Sequence, residues 1–120
     1  MIQYEQIEKL FSFNTKKQFC VEIQFMLKGN PKYDHCWMGK MWSTEKGRDM
    51  LWYGLTADGK NAYEYSIFEE LAVAPVFDGL SLKNVWSQIV IEEIDGCDPQ
   101  ERLEYYIGNK SNRPMIGTLK

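Results

Sequence analysis

The chain has one histidine, His35, and three cysteines, Cys20, Cys36 and Cys97, in 120 residues. No two cysteines stand as Cys-x-x-Cys, and one histidine with scattered thiols does not make a zinc ligand set. A sparse, odd cysteine count without an export signal predicts reduced thiols, and so a cytoplasmic protein and not a disulfide scaffold. The nine glycines stand singly. No Gly-rich phosphate loop, Gly-x-Ser-x-Gly elbow or His-Glu-x-x-His pair is present, so no cofactor is expected. No apolar run approaches the roughly 18 residues of a membrane span. The opening MIQYEQIEKLF lacks the basic start and apolar middle of a signal peptide, and no membrane contact is expected.

What is present suits one domain with a single core. Hydrophobic residues make up 44% and charged residues 26%, as in ordinary globular chains, while the four Trp and seven Tyr make it rich in rings. Charge is uneven. Residues 1–60 carry nine Lys and Arg against seven Asp and Glu; residues 61–107 carry two against ten. That acidic half would repel phosphates, which argues against nucleic acid and for a basic partner. The tail from 108 holds three cations and no acid.

Tyr4, Ile7, Leu10 and Phe11 recur at helical spacing, so residues 3–12 read as an amphipathic helix. Asn14 to Lys17 read as a turn. In FCVEIQFML, residues 19–27, Phe19, Val21, Ile23, Phe25 and Leu27 alternate with the residues between them, a strand pattern. Turn residues Gly29, Asn30 and Pro31 end it. Residues 35–43 and 49–57 read as strands two and three, and Asp58-Gly59 predicts a tight hairpin into strand four at 60–66. Ser66 to Glu69 fits a capping box for a short helix from Ile67 to about Ala74, and Ser81 caps another through Trp86. IVIEEI, 89–94, is a fifth strand. Asp98-Pro99 with Glu101 starts a last helix, which Gly108 stops. The order α-β-β-β-β-α-α-β-α predicts an α+β domain over residues 1–108, its helices on one face of a mainly antiparallel sheet, followed by a tail or arm at 109–120.

The stretch DHCWMGKMW sets His35 beside Cys36, but neighbours on a strand point to opposite faces and cannot form a catalytic dyad. The carboxylates Glu92, Glu93, Asp95, Asp98, Glu101 and Glu104 are dense, yet two already serve the helix start and the spacing is not that of a calcium loop. No catalytic residue and no metal ligand is therefore assigned. Centring the first hairpin near Pro31 and the second near Lys46 pairs Glu22 with Lys40, Lys40 with Trp52 and Gly39 with Tyr53. On that register Trp37 and Met41 join the core with Phe19, Val21, Ile23, Phe25, Leu27, Leu51, Tyr53 and Leu55. The opposite face gathers Glu22, Gln24, Met38, Lys40, Trp42, Trp52, Tyr63 and Tyr65.

Trp and Tyr are enriched in interfaces. The expectation is thus a non-enzymatic, cytoplasmic protein-binding domain, an adaptor or a protein of the immunity kind. Its contact residues would be Trp42, Trp52, Lys40, Glu22, Tyr63, Tyr65 and Met38, and its partner basic. In size and charge the chain is similar to immunity proteins that neutralise toxins; no motif carries that likeness. Two alternatives use the same residues. One is a small-molecule site or modest enzyme with Lys40, Glu22, Tyr63 and Tyr65 in a pocket between sheet and helix. The other is a homodimer through the aromatic face.

Overall fold

A computed structural model of the chain describes residues 2–12, 20–56 and 60–108. Helix α1, Tyr4–Ser12, buries Ile7, Leu10 and Phe11 along one stripe. Four strands follow: β1 Cys20–Leu27, β2 Cys36–Ser43, β3 Arg48–Gly54 and β4 Ala62–Tyr65. Then come α2 Phe68–Val73, α3 Leu82–Val85, β5 Ile89–Ile94 and α4 Pro99–Ile107. All strand pairs are antiparallel, in the order β4-β3-β2-β1-β5. The α+β architecture and element order are those the sequence predicts; Phe19 as a core residue, the turn at 14–17, the Asp58-Gly59 hairpin and the tail at 109–120 lie outside the described residues.

Local chemistry explains most boundaries. Asp98 accepts from the Glu101 N–H (3.1 Å) and starts α4, with Pro99 in its first turn; Gly108 ends it at φ +67°. Ser81 and Asn84 form a reciprocal capping box at α3. At α2 the expected box is altered. The cap residue is Ile67 without a side-chain bond, and the Ser66 N–H donates to Glu70 Oε1 instead (3.1 Å). Two Asp-Gly pairs make tight turns with both residues at positive φ: Asp78-Gly79 (55° and 90°) and Asp95-Gly96 (55° and 75°). Asp95 also clasps the β5 edge to its neighbours. It accepts from the Glu22 N–H (2.9 Å), from Arg102 Nε (3.0 Å) and from the Tyr106 hydroxyl of α4.

The buried side chains of α1 to α4 share one cluster with Val21, Ile23, Phe25, Leu27, Leu51 and Tyr53 of the sheet. Phe77 sits at its centre with three rings edge-on to it: Tyr33 at 5.5 Å, Tyr53 at 5.6 Å and Phe25 at 6.2 Å between centroids. The Tyr53 hydroxyl donates to the Leu71 carbonyl (2.9 Å) and ties β3 to α2.

The register corrects the sequence reading by one residue at each of the first two hairpins. Glu22 pairs with Gly39 and not Lys40; Gly39 pairs with Trp52, Lys40 with Leu51 and Trp42 with Asp49. A one-residue slip turns every side chain of β2 over. Cys36, Met38 and Lys40 therefore point into the core, and Trp37 and Met41 point away from it. The β3–β4 pairing likewise puts Tyr63 beside Tyr53 and Tyr65 beside Leu51, on the helix side.

Lys40 is the consequence that matters most. It lies in the middle of the central strand with 0% exposure. Its ammonium donates to the Phe11 carbonyl (3.1 Å) and stands 3.8 Å from Asp49 Oδ2. Phe11 belongs to the last turn of α1, whose carbonyls have no intrahelical donor. A cation there satisfies an orphan acceptor and meets the negative end of the helix dipole. One side chain thus joins β2, β3 and α1. Burial pushes its pKa below the ordinary 10.5, with Asp49 pulling the other way.

Below its lowered value Lys40 is charged in both folded and unfolded chains, and its effect on stability does not vary with pH. Between that value and 10.5 the unfolded chain binds the extra proton, so stability rises with pH until 10.5 is passed. Wild type should therefore gain stability relative to Lys40→Met as pH is raised from about 8 to about 11, by about 1.4 kcal/mol per unit of lowering. Urea unfolding of both proteins across that range measures it; a difference that stays flat or falls contradicts the buried charge.

Candidate functional site

The sheet has one face under helices and one that no described helix covers. Row by row across β4, β3, β2 and β1, the open face reads Glu64, Trp52, Gly39, Glu22; then Ala62, Gly54, Trp37, Gln24; then Met50, Met41, Cys20 from β3 inward. Beyond β1, Glu93 and Val90 of β5 continue it, with Glu92 the extra residue of a bulge opposite Gln24 and Phe25. Trp37, Met41, Met50 and Trp52 are outside the core cluster, and Met41 is 47% exposed. Together they form an aromatic and thioether stripe along β2 and β3. Glu64 flanks it on one side, Glu22 and Glu93 on the other, and Arg48 stands at one end.

Of the seven residues the sequence offered as a contact surface, Glu22 and Trp52 are on this face. Met38 and Lys40 are buried beneath the helices, and Trp42 is half-buried beside Asp49 on that same side. Tyr63 and Tyr65 also face the helix side, where they line a groove of about 520 Å³ with Lys32, Tyr33, Asn61, Pro75 and Asp78. Lys32 and Asp78 close one end of it as an exposed pair at 2.7 Å. The seven therefore do not form one surface, and Lys40 and Glu22 do not share a pocket with the two tyrosines. Trp37 and Met41, assigned to the core from sequence, belong to the open face. Gly39 carried the signal for this. A glycine turned toward the core of a central strand would leave a void, whereas on the other face a ring can cover it.

That ring is Trp52. A Cβ built on Gly39 would lie 2.2 Å from the Val21 carbonyl oxygen and 2.7 Å from the Trp52 indole. The glycine lets the indole lie flat across β2, with Glu64 and Glu22 at either side of it. At one end of the stripe His35 stands exposed, its Nδ1 3.1 Å from Gln24 Nε2 and its ring edge-on to Trp37 at 6.1 Å.

Nucleophilic chemistry finds little support here. Cys36 is buried on the other side from His35, donates its thiol to the Leu55 carbonyl (3.3 Å), and is pushed up to about 12 by burial. Asp95 and Asp98 are engaged in the clasp and the α4 cap. Among the described residues no group of three His, Cys, Asp or Glu side chains is placed to hold a metal ion, and no helix is long and apolar enough to cross a membrane. What the open face offers is contact area with carboxylates at its margins. No family model, no curated protein and no solved structure matches this chain.

Two measurements check this geometry. Gly39→Ala forces a methyl against a backbone carbonyl and should cost about 2 kcal/mol or more, read as a lowered Tm and denaturant midpoint; an unchanged midpoint contradicts the Trp52–Gly39 contact. Iodoacetamide should label Cys20 and Cys97 in the native protein and spare Cys36 until it unfolds. Rapid native labelling of Cys36 contradicts its burial.

Proposed function

We propose that the chain is a non-enzymatic protein-binding domain whose docking surface is the open sheet face, and that its partner presents arginine or lysine among apolar side chains. The observation that carries this reading is Trp52 lying between Glu22 and Glu64 on a ring-rich face that no described helix covers. A guanidinium laid on that indole would meet a π-face and a carboxylate together, a combination suited to arginine. Met41, Met50 and Trp37 extend the apolar contact, and methionine adapts to irregular partner surfaces. The acidic margin, with Glu93 and the bulged Glu92 beyond β1, steers a basic partner and disfavours an acidic one.

The test identifies the protein retained by wild type, purifies it, and measures Kd for reconstituted complexes. Trp37→Ala and Met41→Glu should each weaken binding by about 30-fold, near the 2 kcal/mol of an interface anchor, with circular dichroism and Tm unchanged. Glu22→Lys should weaken it further at low salt than at high salt. Trp52→Ala is a poorer probe, because it also uncovers Gly39. Binding that survives all three substitutions overturns the proposal. So does a chain that dimerises alone and is made monomeric by Met41→Glu, since the face would then belong to a second copy.

A further inference from the structure

The strand order leaves β4 at one border of the sheet, and its backbone there has a definite pattern. The Leu55 N–H donates to the Asn61 carbonyl (3.0 Å), next to the Gly54–Ala62 pair. In an antiparallel ladder this makes Gly54–Ala62 a wide pair and Tyr53–Tyr63 a bonded one. Tyr63 and Tyr65 therefore spend their N–H and C=O groups on β3. Ala62 and Glu64 turn theirs outward, and both residues are exposed. Among the described residues no strand or helix pairs with that border. Alongside it, on the helix side, runs the groove lined by Asn61, Tyr63, Tyr65, Pro75, Val76 and Asp78.

We infer that β4 is a strand-addition site: an extended segment of another protein pairs with Ala62 and Glu64, dropping alternate apolar side chains into the tyrosine groove. Two outward residues supply two donors and two acceptors at strand spacing, a pattern that another strand satisfies. The groove lies where the inward-facing side chains of an added strand would point. The other side chains would lie on the open face next to Glu64, where a lysine or arginine is favoured. Charge also disfavours one arrangement of a second copy, and the titration below reads out the others. Self-pairing about Tyr63 brings two Glu64 residues onto the same face with no cation of β4 to offset them. This inference goes beyond the open-face reading; the two share Glu64, but Trp37 and Met41, whose substitutions test that reading, do not border β4.

The experiment titrates the ¹⁵N-labelled full chain with a capped octapeptide alternating valine and lysine, and with the same peptide methylated at every backbone nitrogen. The expected result is shifts confined to residues 32–33, 61–65 and 74–79, with slowed amide exchange at Ala62 and Glu64, and at least tenfold weaker binding by the methylated peptide. Glu64→Pro removes an outward N–H without touching the β3 ladder, which a border strand tolerates. It should abolish the shifts while far-UV circular dichroism stays unchanged. No shift at millimolar peptide, equal binding by the methylated peptide, or shifts only around Trp37 and Met41 would each overturn the inference. Concentration-dependent shifts at 62–64 without peptide would overturn it in favour of self-pairing. The methylated peptide keeps the test decisive even where Glu64→Pro fails to fold.

Discussion

A lysine at the centre of the central strand sets the terms for the rest of this molecule. Lys40 can be buried because the last turn of α1 supplies a carbonyl that lacks a helical donor and β3 supplies Asp49. Breaking a buried charge contact by removing one side leaves the other without compensation, which is costly. Helix α1 is therefore held at one place along the sheet, and its stripe of Ile7, Leu10 and Phe11 must fall over the same strands. With Lys40 turned inward, strand alternation turns Trp37, Gly39 and Met41 outward. The core contact and the open face are two sides of one register.

Asp95 plays a comparable part at the opposite border. A left-handed turn at Asp95-Gly96 aims its carboxylate back at β1 and forward at α4, where Arg102 and Tyr106 meet it. The phenol of Tyr106 is pushed up to about 12 by burial and by that carboxylate, so it stays a donor at ordinary pH. One border strand of the sheet thus has a helix fixed to its end through side chains. Among the described residues the β4 border has no such side-chain tie, and it has the groove beside it. The open face runs from β5 to β4, and the groove lies at its β4 end on the helix side.

Much of the fold was legible because its signals are local. The alternation of Val21, Ile23, Phe25 and Leu27 fixes β1, and Leu51, Tyr53 and Leu55 fix β3, each with the correct face inward. Asp98-Pro99 and Ser81 mark helix starts through side-chain bonds that sequence spacing reveals. The register between strands was not legible, and the candidate surface depended on it. In CWMGKMWS both alternating sets are apolar, so hydrophobic period cannot choose between them, and the one charged residue points the reader the wrong way. A lysine is ordinarily placed in solvent, and only the helix end and Asp49 make the buried choice favourable. The loops added to the difficulty. The 3₁₀ turn at Pro31–Tyr33 draws Tyr33 into the core, and Gly47 at φ +67° closes a four-residue second loop between paired Ser43 and Arg48, so that hairpin is centred between two residues and not on Lys46.

The order in which the chain emerges during synthesis gives the Lys40 contact one more meaning. Phe11 and Lys40 are separated by 29 residues, and Asp49 follows shortly after. The whole linkage is thus complete in the first portion of the polypeptide, before α2, α3 or β5 has been made. A growing chain can anchor its opening helix on a three-stranded ribbon early, with a short loop to close. The contacts that orient α1 on the sheet thus need nothing from the acidic half that follows.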